Sequence, residues 1–315
     1  MALFIKSGVL CTIQDLGRTG YLSKGINPSG VMDRYASRLA NILLNNQENE
    51  AVLEIHFPSP EILFEENCII VIGGANFSPF LNNKPINNWQ RIAIKVGDIL
   101  KFKKKIAGER VYIAFAGGLS IEPILGSTST NLLANFGGKK IVNGDRIILN
   151  YAAHFLKNNI GLASRLQPNY QYNLPEIRIT TSKEFEYLDN SSKQNIENQS
   201  FKITNESNRM GYRLNSEPLK LTSPIELLSS GITFGTIQLL PNGQLIVLMA
   251  DHQTTGGYPR IGNVVSVDLP LLAQMGANQT FKFKMISLVE AEQLLVTQEK
   301  TFQQLKLSIK QHENY

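Results

Sequence analysis

Apolar residues recur along this chain in two rhythms. Over residues 32–45 they fall at Met32, Ala36, Leu39 and Leu43, the i, i+4, i+7, i+11 spacing that keeps one face of a helix dry. Asp33 lies in the first turn of that helix, where negative charge suits the dipole. Asn45 and Asn46 follow, and asparagine tolerates the left-handed conformation that ends a helix. Elsewhere the apolar runs are short and split by turn residues: 52–57, 69–72, 92–96, 99–102 and 111–116, then 176–181, 233–239, 245–250 and 264–267. Runs of this length and spacing predict the strands of a sandwich or barrel. Gly97-Asp98 and Gly144-Asp145 each lead into such a run and predict tight turns. Residues 1–31 are Gly-rich and read as loop.

The polar stretch 154–175 contains Asn158, Asn159, Pro168, Asn169 and Asn173, and reads as a junction. It predicts an N-terminal β-rich domain over 1–160 and a second domain over 161–315. The Asn/Ser/Gln-rich segment 189–200 reads as an exposed insertion. Asp268 is placed to cap a short helix carrying Leu271, Leu272 and Met275. Ser287-Leu288-Val289-Glu290 has the spacing of a capping box before a helix over 291–298. Past Thr297 the chain turns polar and is expected to fray. No βαβ alternation runs through the sequence, so the fold class expected is mainly β with a few short helices.

At 315 residues the chain is long enough for about two domains and needs no disulfide or metal to complete a core. Cys11 and Cys68 stand alone and the four histidines lack ligand spacing, so no metal site is expected. The N-terminus has no basic region followed by a long apolar run. The apolar run at 245–250 is far too short to span a bilayer. A cytoplasmic protein without membrane or nucleic-acid partners is therefore expected. The net charge of +5 is dispersed, and its one compact run, Lys101 to Lys105, fits a solvated hairpin tip. Familiar chemistry is absent. There is no GxxxxGK[ST] loop, no GxGxxG, no GxSxG, no HExxH, and no biotinyl-lysine signature. Biotin, if it is used, arrives on another chain.

Four segments concentrate polar chemistry. The first, 12–21, holds Gln14, Asp15 and Arg18 between glycines; Asp15 and Arg18 either pair with each other or face a ligand. The second, Gly126-Ser-Thr-Ser-Thr130, either holds an oxyanion or closes a local turn. The third carries Arg209 and Arg213 four residues apart, on one face if the segment is a strand. Two such guanidiniums require an anion or carboxylate between them, and arginine suits bidentate carboxylate contacts. The fourth follows the strand at 245–250 with Asp251, His252, Gln253, Thr254, Thr255, Gly256, Gly257 and Tyr258. Polar groups at a strand exit are well placed for a site, and the glycines could form an oxyanion nest. With one carboxylate, Asp251, against Arg209, Arg213 and Arg260, this region reads as having surplus positive charge that a bound anion would neutralise.

Taken together, TIQDLGRTGY, the stretch 28–33, YIAFAGG, GSTST, NRMGYRL and LLPNGQLIVLMADHQTTGGYPRIG resemble the biotin-dependent carboxyltransferase-like family. That family includes the C subunit of prokaryotic 5-oxoprolinase, the antagonist of the Kip-type kinase inhibitor, and half of the carboxyltransferase domain of urea carboxylase. His252 and Thr128 stand where the family usually has arginine. The resemblance implies two cyclophilin-like β-barrel domains in tandem. It also implies a cytosolic hetero-complex, tight with a cognate B subunit and active together with an A subunit. The reaction it implies is ATP-dependent opening of 5-oxo-L-proline to L-glutamate, with ATP as cofactor, bound either by this chain or by a partner subunit. Within that frame Arg209 and Arg213 are the candidates for the substrate carboxylate, and Asp251 is the candidate base because it sits at the strand exit. Gln14, Asp15, Arg18 and residues 253–258 complete the expected binding set. A carboxyltransferase component and a regulatory protein without chemistry are the alternatives.

Overall fold

The computed structural model describes residues 1–150, 160–170 and 174–314. The backbone divides into two compact units. Unit 1 comprises Met1–Arg18, Ser29–Gln171 and Glu299–Tyr315; unit 2 comprises Thr19–Pro28 and Tyr172–Gln298. The junction read at 154–175 lies in part outside the described residues, at 154–159 and 171–173.

Unit 1 has two antiparallel sheets. One orders Arg146–Ile147, Ala2–Lys6, Glu61–Phe64, Ile99–Phe102, Pro79–Leu81 and Lys84–Pro85; the other orders Cys11–Gln14, Val52–Ile55, Ala107–Phe115, Cys68–Asn76 and Arg91–Ile94. Alternation along the second half of the central strand, 111–115, explains why it is apolar there. Val111, Ile113 and Phe115 point into a core shared with Phe4, Phe64 and Leu100. Tyr112 and Ala114 point the other way, to a second core with helix α1, Arg34–Leu43. A strand covered on both faces has no polar side to show. Two strands, Ala2–Lys6 and Cys11–Gln14, occupy the segment read as loop, because the glycines there sit between and beyond them.

Asp33 is the N-cap of α1, its carboxylate accepting from the Ala36 amide at 2.8 Å, and Asn45 takes the expected left-handed conformation with φ of 56°. Both Gly-Asp turns form alike. Gly97 and Gly144 have positive φ, and Asp98 and Asp145 each accept from the amide three residues earlier.

Unit 2 is a closed seven-stranded barrel ordered Glu176–Thr181, Arg260–Val264, Thr236–Leu239, Leu245–Leu248, Gly211–Asn215, Phe201–Ile203 and Thr280–Met285. The barrel closes where Glu176–Thr181 pairs in parallel with Thr280–Met285. Phe201, Phe281 and Phe283 fill one end of its interior as a three-ring cluster.

Three expectations are corrected. The segment read as an exposed insertion contains helix α2, Asn190–Asn198, whose Ile196 is buried. Its composition is polar because that residue and Ser192 are all it buries. Asp268 does precede a short helix, α3, Leu269–Ala273, but its carboxylate binds the Arg178 guanidinium and backbone instead of capping it. The polar tail does not fray. Helix α4 runs Leu288–Asn314, and within unit 1 Phe302 and Ile309 are buried beside α1. Arg38 lies over the Phe302 ring and forks onto Glu299, while Lys306 pairs with Glu48 and Arg91 with Glu313. Ion pairs hold what composition alone would leave loose.

The capping box opens α4 as expected: Glu290 accepts from the Ser287 amide, and Ser287 Oγ accepts from the Glu290 amide. Ser287→Ala is expected to cost about 1 kcal/mol at this helix end. Hydrogen exchange at residues 288–291 reads it: faster exchange there with unchanged exchange in α1 is the expected result.

Candidate functional site

In unit 1 the first two polar segments form one closed network. Asp15 is 7% exposed, and its carboxylate accepts from Ser127 Oγ at 2.6 Å, Ser129 Oγ at 2.5 Å, and the amides of Thr128 at 2.7 Å and Gly17 at 2.8 Å. Arg18 donates to the Ser129 carbonyl at 2.6 Å and lies 4.7 Å from the Phe136 ring centroid. Gln14 is fully buried and donates to Thr12 Oγ1 and the Thr130 carbonyl. The hydroxyl row therefore holds an anion, but one of the same chain, the Asp15 carboxylate more than a hundred residues away, so it is neither a ligand site nor a local turn. Burial, with Asp15 adding to it, raises the Glu50 carboxyl above its usual range.

In unit 2 the strand Leu245–Leu248 leads to Asp251. Arg209 Nε donates to Asp251 Oδ2 at 2.8 Å and Nη2 to Oδ1 at 3.0 Å, and both side chains are buried. The backbones join as well, the Asp251 amide donating to the Arg209 carbonyl at 2.8 Å. Asn27 donates to the Asp251 carbonyl at 3.0 Å.

This arrangement corrects the electrostatic argument. Arg209 sits in the tight turn 208–211, where Asn208 Oδ1 accepts from the Met210 amide, and the strand starts only at Gly211. Arg209 and Arg213 therefore do not share a strand face. Arg213 is half exposed and lies 3.5 Å from Glu206, and Arg260 donates to Glu184 at 2.5 Å. Each of the three arginines has a carboxylate, so there is no surplus positive charge to neutralise. The sum over 251–260 missed Glu184 and Glu206, which lie far back in sequence. Asp251, expected as a base, has both oxygens engaged by Arg209, a geometry that suits fixing the strand exit. The glycine nest is not formed either: Thr255–Gly256 is extended and pairs with Ser230–Gly231.

A cavity of about 410 Å³ opens on the barrel of unit 2. Its polar wall is Glu206, Asn208, Arg213, Gln238, Gln253 and Tyr258, and Met210, Leu240, Ile246 and Leu248 supply apolar wall. Of the residues expected from sequence, Arg213, Gln253 and Tyr258 reach it, whereas Arg209 and Asp251 lie beside it without lining it. Thr254, Thr255 and Gly256 do not line it, and Gly257 with Tyr258 borders a second cavity of about 940 Å³. Sequence reading missed Glu206, Asn208 and Gln238. The signal for Gln238 was an amide inside the otherwise apolar run at 237–240.

The two cysteines of unit 1 are held as thiols. Burial, with Glu54 adding to it, pushes the Cys11 thiol up, and burial, with Glu66 adding to it, pushes Cys68 up to about 12, so neither is a thiolate at neutral pH. Among the described residues no three His, Cys, Asp or Glu side chains cluster to hold a metal. Among them, too, no helix is long and apolar enough to cross a membrane.

Comparison with known proteins follows the same lines. The family described as carboxyltransferase domain, subdomain A and B, matches residues 24–285. The chain is 37% identical to the C subunit of 5-oxoprolinase from Haemophilus influenzae over 286 residues, covering 90% of each protein. It is 35% identical to the C subunit of 5-oxoprolinase from Escherichia coli over 308 residues, covering 97% of each. Among solved structures it is similar to the K. lactis urea amidolyase, with a TM-score of 0.90 and 26% identity, covering 96% of this chain and 20% of that one.

Proposed function

This chain belongs to the carboxyltransferase-domain family, subdomains A and B, and from that premise we propose that it is the C subunit of a cytoplasmic, ATP-dependent 5-oxoprolinase. The reaction is 5-oxo-L-proline, ATP and water giving L-glutamate, ADP and phosphate. The observation that carries this reading is the end-to-end match to two such proteins, which at 97% mutual coverage leaves no large segment of either chain over.

In this reading the cavity of unit 2 takes the small substrate. Arg213, at its wall and half exposed, meets the carboxylate, for which guanidinium geometry is suited, by giving up its 3.5 Å contact with the well-exposed Glu206 side chain. Tyr258 and the apolar wall shield the ring. Opening a lactam requires an activated carbonyl, and the ATP that activates it is bound by a partner protein. This chain works in a tight complex with its B subunit, and together with the A subunit; no biotin is attached to it. A second reading rests on the likeness to urea amidolyase: a carboxyltransferase component that takes its carboxyl group from biotin carried on another chain.

Co-expression with the A and B subunits tests both. Glutamate release from 5-oxo-L-proline is expected only when all three proteins and ATP are present, and none from this chain alone. Release by the isolated chain would overturn the division of labour. A complete complex that leaves 5-oxo-L-proline intact but transfers the carboxyl group of a carboxybiotin-bearing carrier to urea, releasing free biotinyl carrier, would establish the second reading instead.

A further inference from the structure

Gln238 is one of the most completely buried polar residues of unit 2, at 1% exposed, and its Nε2 has no hydrogen-bond partner. Burying an amide N–H without an acceptor is costly, so such groups are rare and call for a reason. The strand register supplies one. Arg213 pairs with Ile246, and Ile246 with Gln238, so the three form one cross-strand row beneath the cavity. Two strand spacings separate the ends of that row, roughly 10 Å between backbones. A cation stands at one end, an amide at the other, and an apolar side chain lies between.

Two glycines keep the row open. A Cβ at Gly211 would fall 2.7 Å from Ile246 Cδ1, and a Cβ at Gly256 would fall 2.5 Å from Gln238 Nε2. The amide nitrogen thus lies directly under the extended Thr255–Gly256 segment, which is held by a two-residue pairing with Ser230–Gly231. The nitrogen is covered by that segment, so a ligand meets the donor when this two-residue pairing gives way.

We propose that Gln238 is a specificity-determining residue of the cavity, whose Nε2 donates to the carbonyl oxygen of a small amide that also bears a carboxylate, with Arg213 taking the carboxylate. The proposal rests on the functional reading above and adds to it the group that tells a lactam from a plain ring acid. A donor left unpaired in the protein is satisfied only by a ligand that carries the matching acceptor, and a ligand without that acceptor gains nothing there.

Gln238→Met keeps the size and removes the donor. In the complex with the A and B subunits, its KM for 5-oxo-L-proline is expected to rise by about tenfold, with kcat nearly unchanged. The melting temperature is expected to hold or rise, because an unpaired buried polar group has been removed. A purely structural glutamine predicts the reverse, a lower melting temperature with unchanged KM, and that result overturns the proposal. Gly256→Ala, which drives a Cβ onto the nitrogen, is expected to raise KM in the same way. If the wild-type complex fails to turn over 5-oxo-L-proline, the functional reading falls, and calorimetric titration of the full-length chain judges Gln238 separately. Wild type is expected to bind 5-oxo-L-proline more tightly than cyclopentanecarboxylate, and Gln238→Met to bind the two alike. No binding by wild type, or equal discrimination in both proteins, overturns the proposal.

Discussion

Asp251→Ala is expected to be the most destabilising single change in unit 2, costing about 3–5 kcal/mol, because it strands the Arg209 charge in a buried setting. The coupling is bidentate and reinforced by the backbone bond between the same two residues, so neither side chain can swing to water without disturbing the strand exit. Urea denaturation reads the loss as a lower midpoint. The double substitution Arg209→Met with Asp251→Leu is expected to recover much of it, since a buried ion pair replaced by apolar groups of similar size is often near neutral. Asp251→Asn separates structure from chemistry. An essential base predicts a fully folded protein in an inactive complex. The ion-pair role predicts a partial loss of stability with turnover largely kept once the complex is assembled. Wild-type stability with abolished turnover would restore Asp251 as the base.

Asp15→Ala is expected to destabilise unit 1 by about 3 kcal/mol. It removes the acceptor for three hydroxyls and two amides at once, and hydrogen bonds to a charged group are each worth about 1.5–3 kcal/mol. The loss falls below the sum of its parts because the hydroxyls can rotate to other acceptors. Asp15→Asn keeps one acceptor oxygen and is expected to lose about half as much. Thermal melting, with proteolysis at 126–131 as a local readout, decides the matter. A melting curve like that of wild type would show that the network is dispensable and would make Asp15 a ligand-binding candidate again.

Local rules carried the sequence reading a long way. The α1 stripe, the Gly-Asp turns, the capping box and the more apolar strands could be read because each depends on residues within a few positions of one another, while strands such as Glu61–Phe64, Phe201–Ile203 and Thr280–Met285 went unread. What failed depended on distance in sequence. Nothing near Arg260 announces Glu184, 76 residues back; Glu206 is near Arg213 in sequence, but only the turn at 208–211 brings the two together. The pairing of Arg209 and Arg213 on one face failed by two residues: the strand begins at Gly211, and a period-2 argument holds only inside a strand. Helix α2 was obscured by polar composition because a single buried isoleucine, Ile196, carries its packing. The wall of the cavity was legible in part. Arg213, Gln253 and Tyr258 stand out by chemistry, whereas Gln238 shows in sequence only as an amide in an apolar run, and its lack of a partner is something a sequence cannot display.

Helix α4 sets a timetable for synthesis. Unit 1 takes its last segment from Glu299 onward, after the whole of 172–298 has been made. At about 5–20 residues per second the ribosome needs on the order of ten seconds to cross that interval. Throughout it, the side of α1 carrying Tyr35 and Arg38 waits for Phe302. The nascent first unit is thus a sheet pair with α1 already packed on one face and the outer side of that helix bare, a surface open to chaperones and to other nascent chains. Completion comes only when Arg38 receives Glu299, across 261 residues of chain.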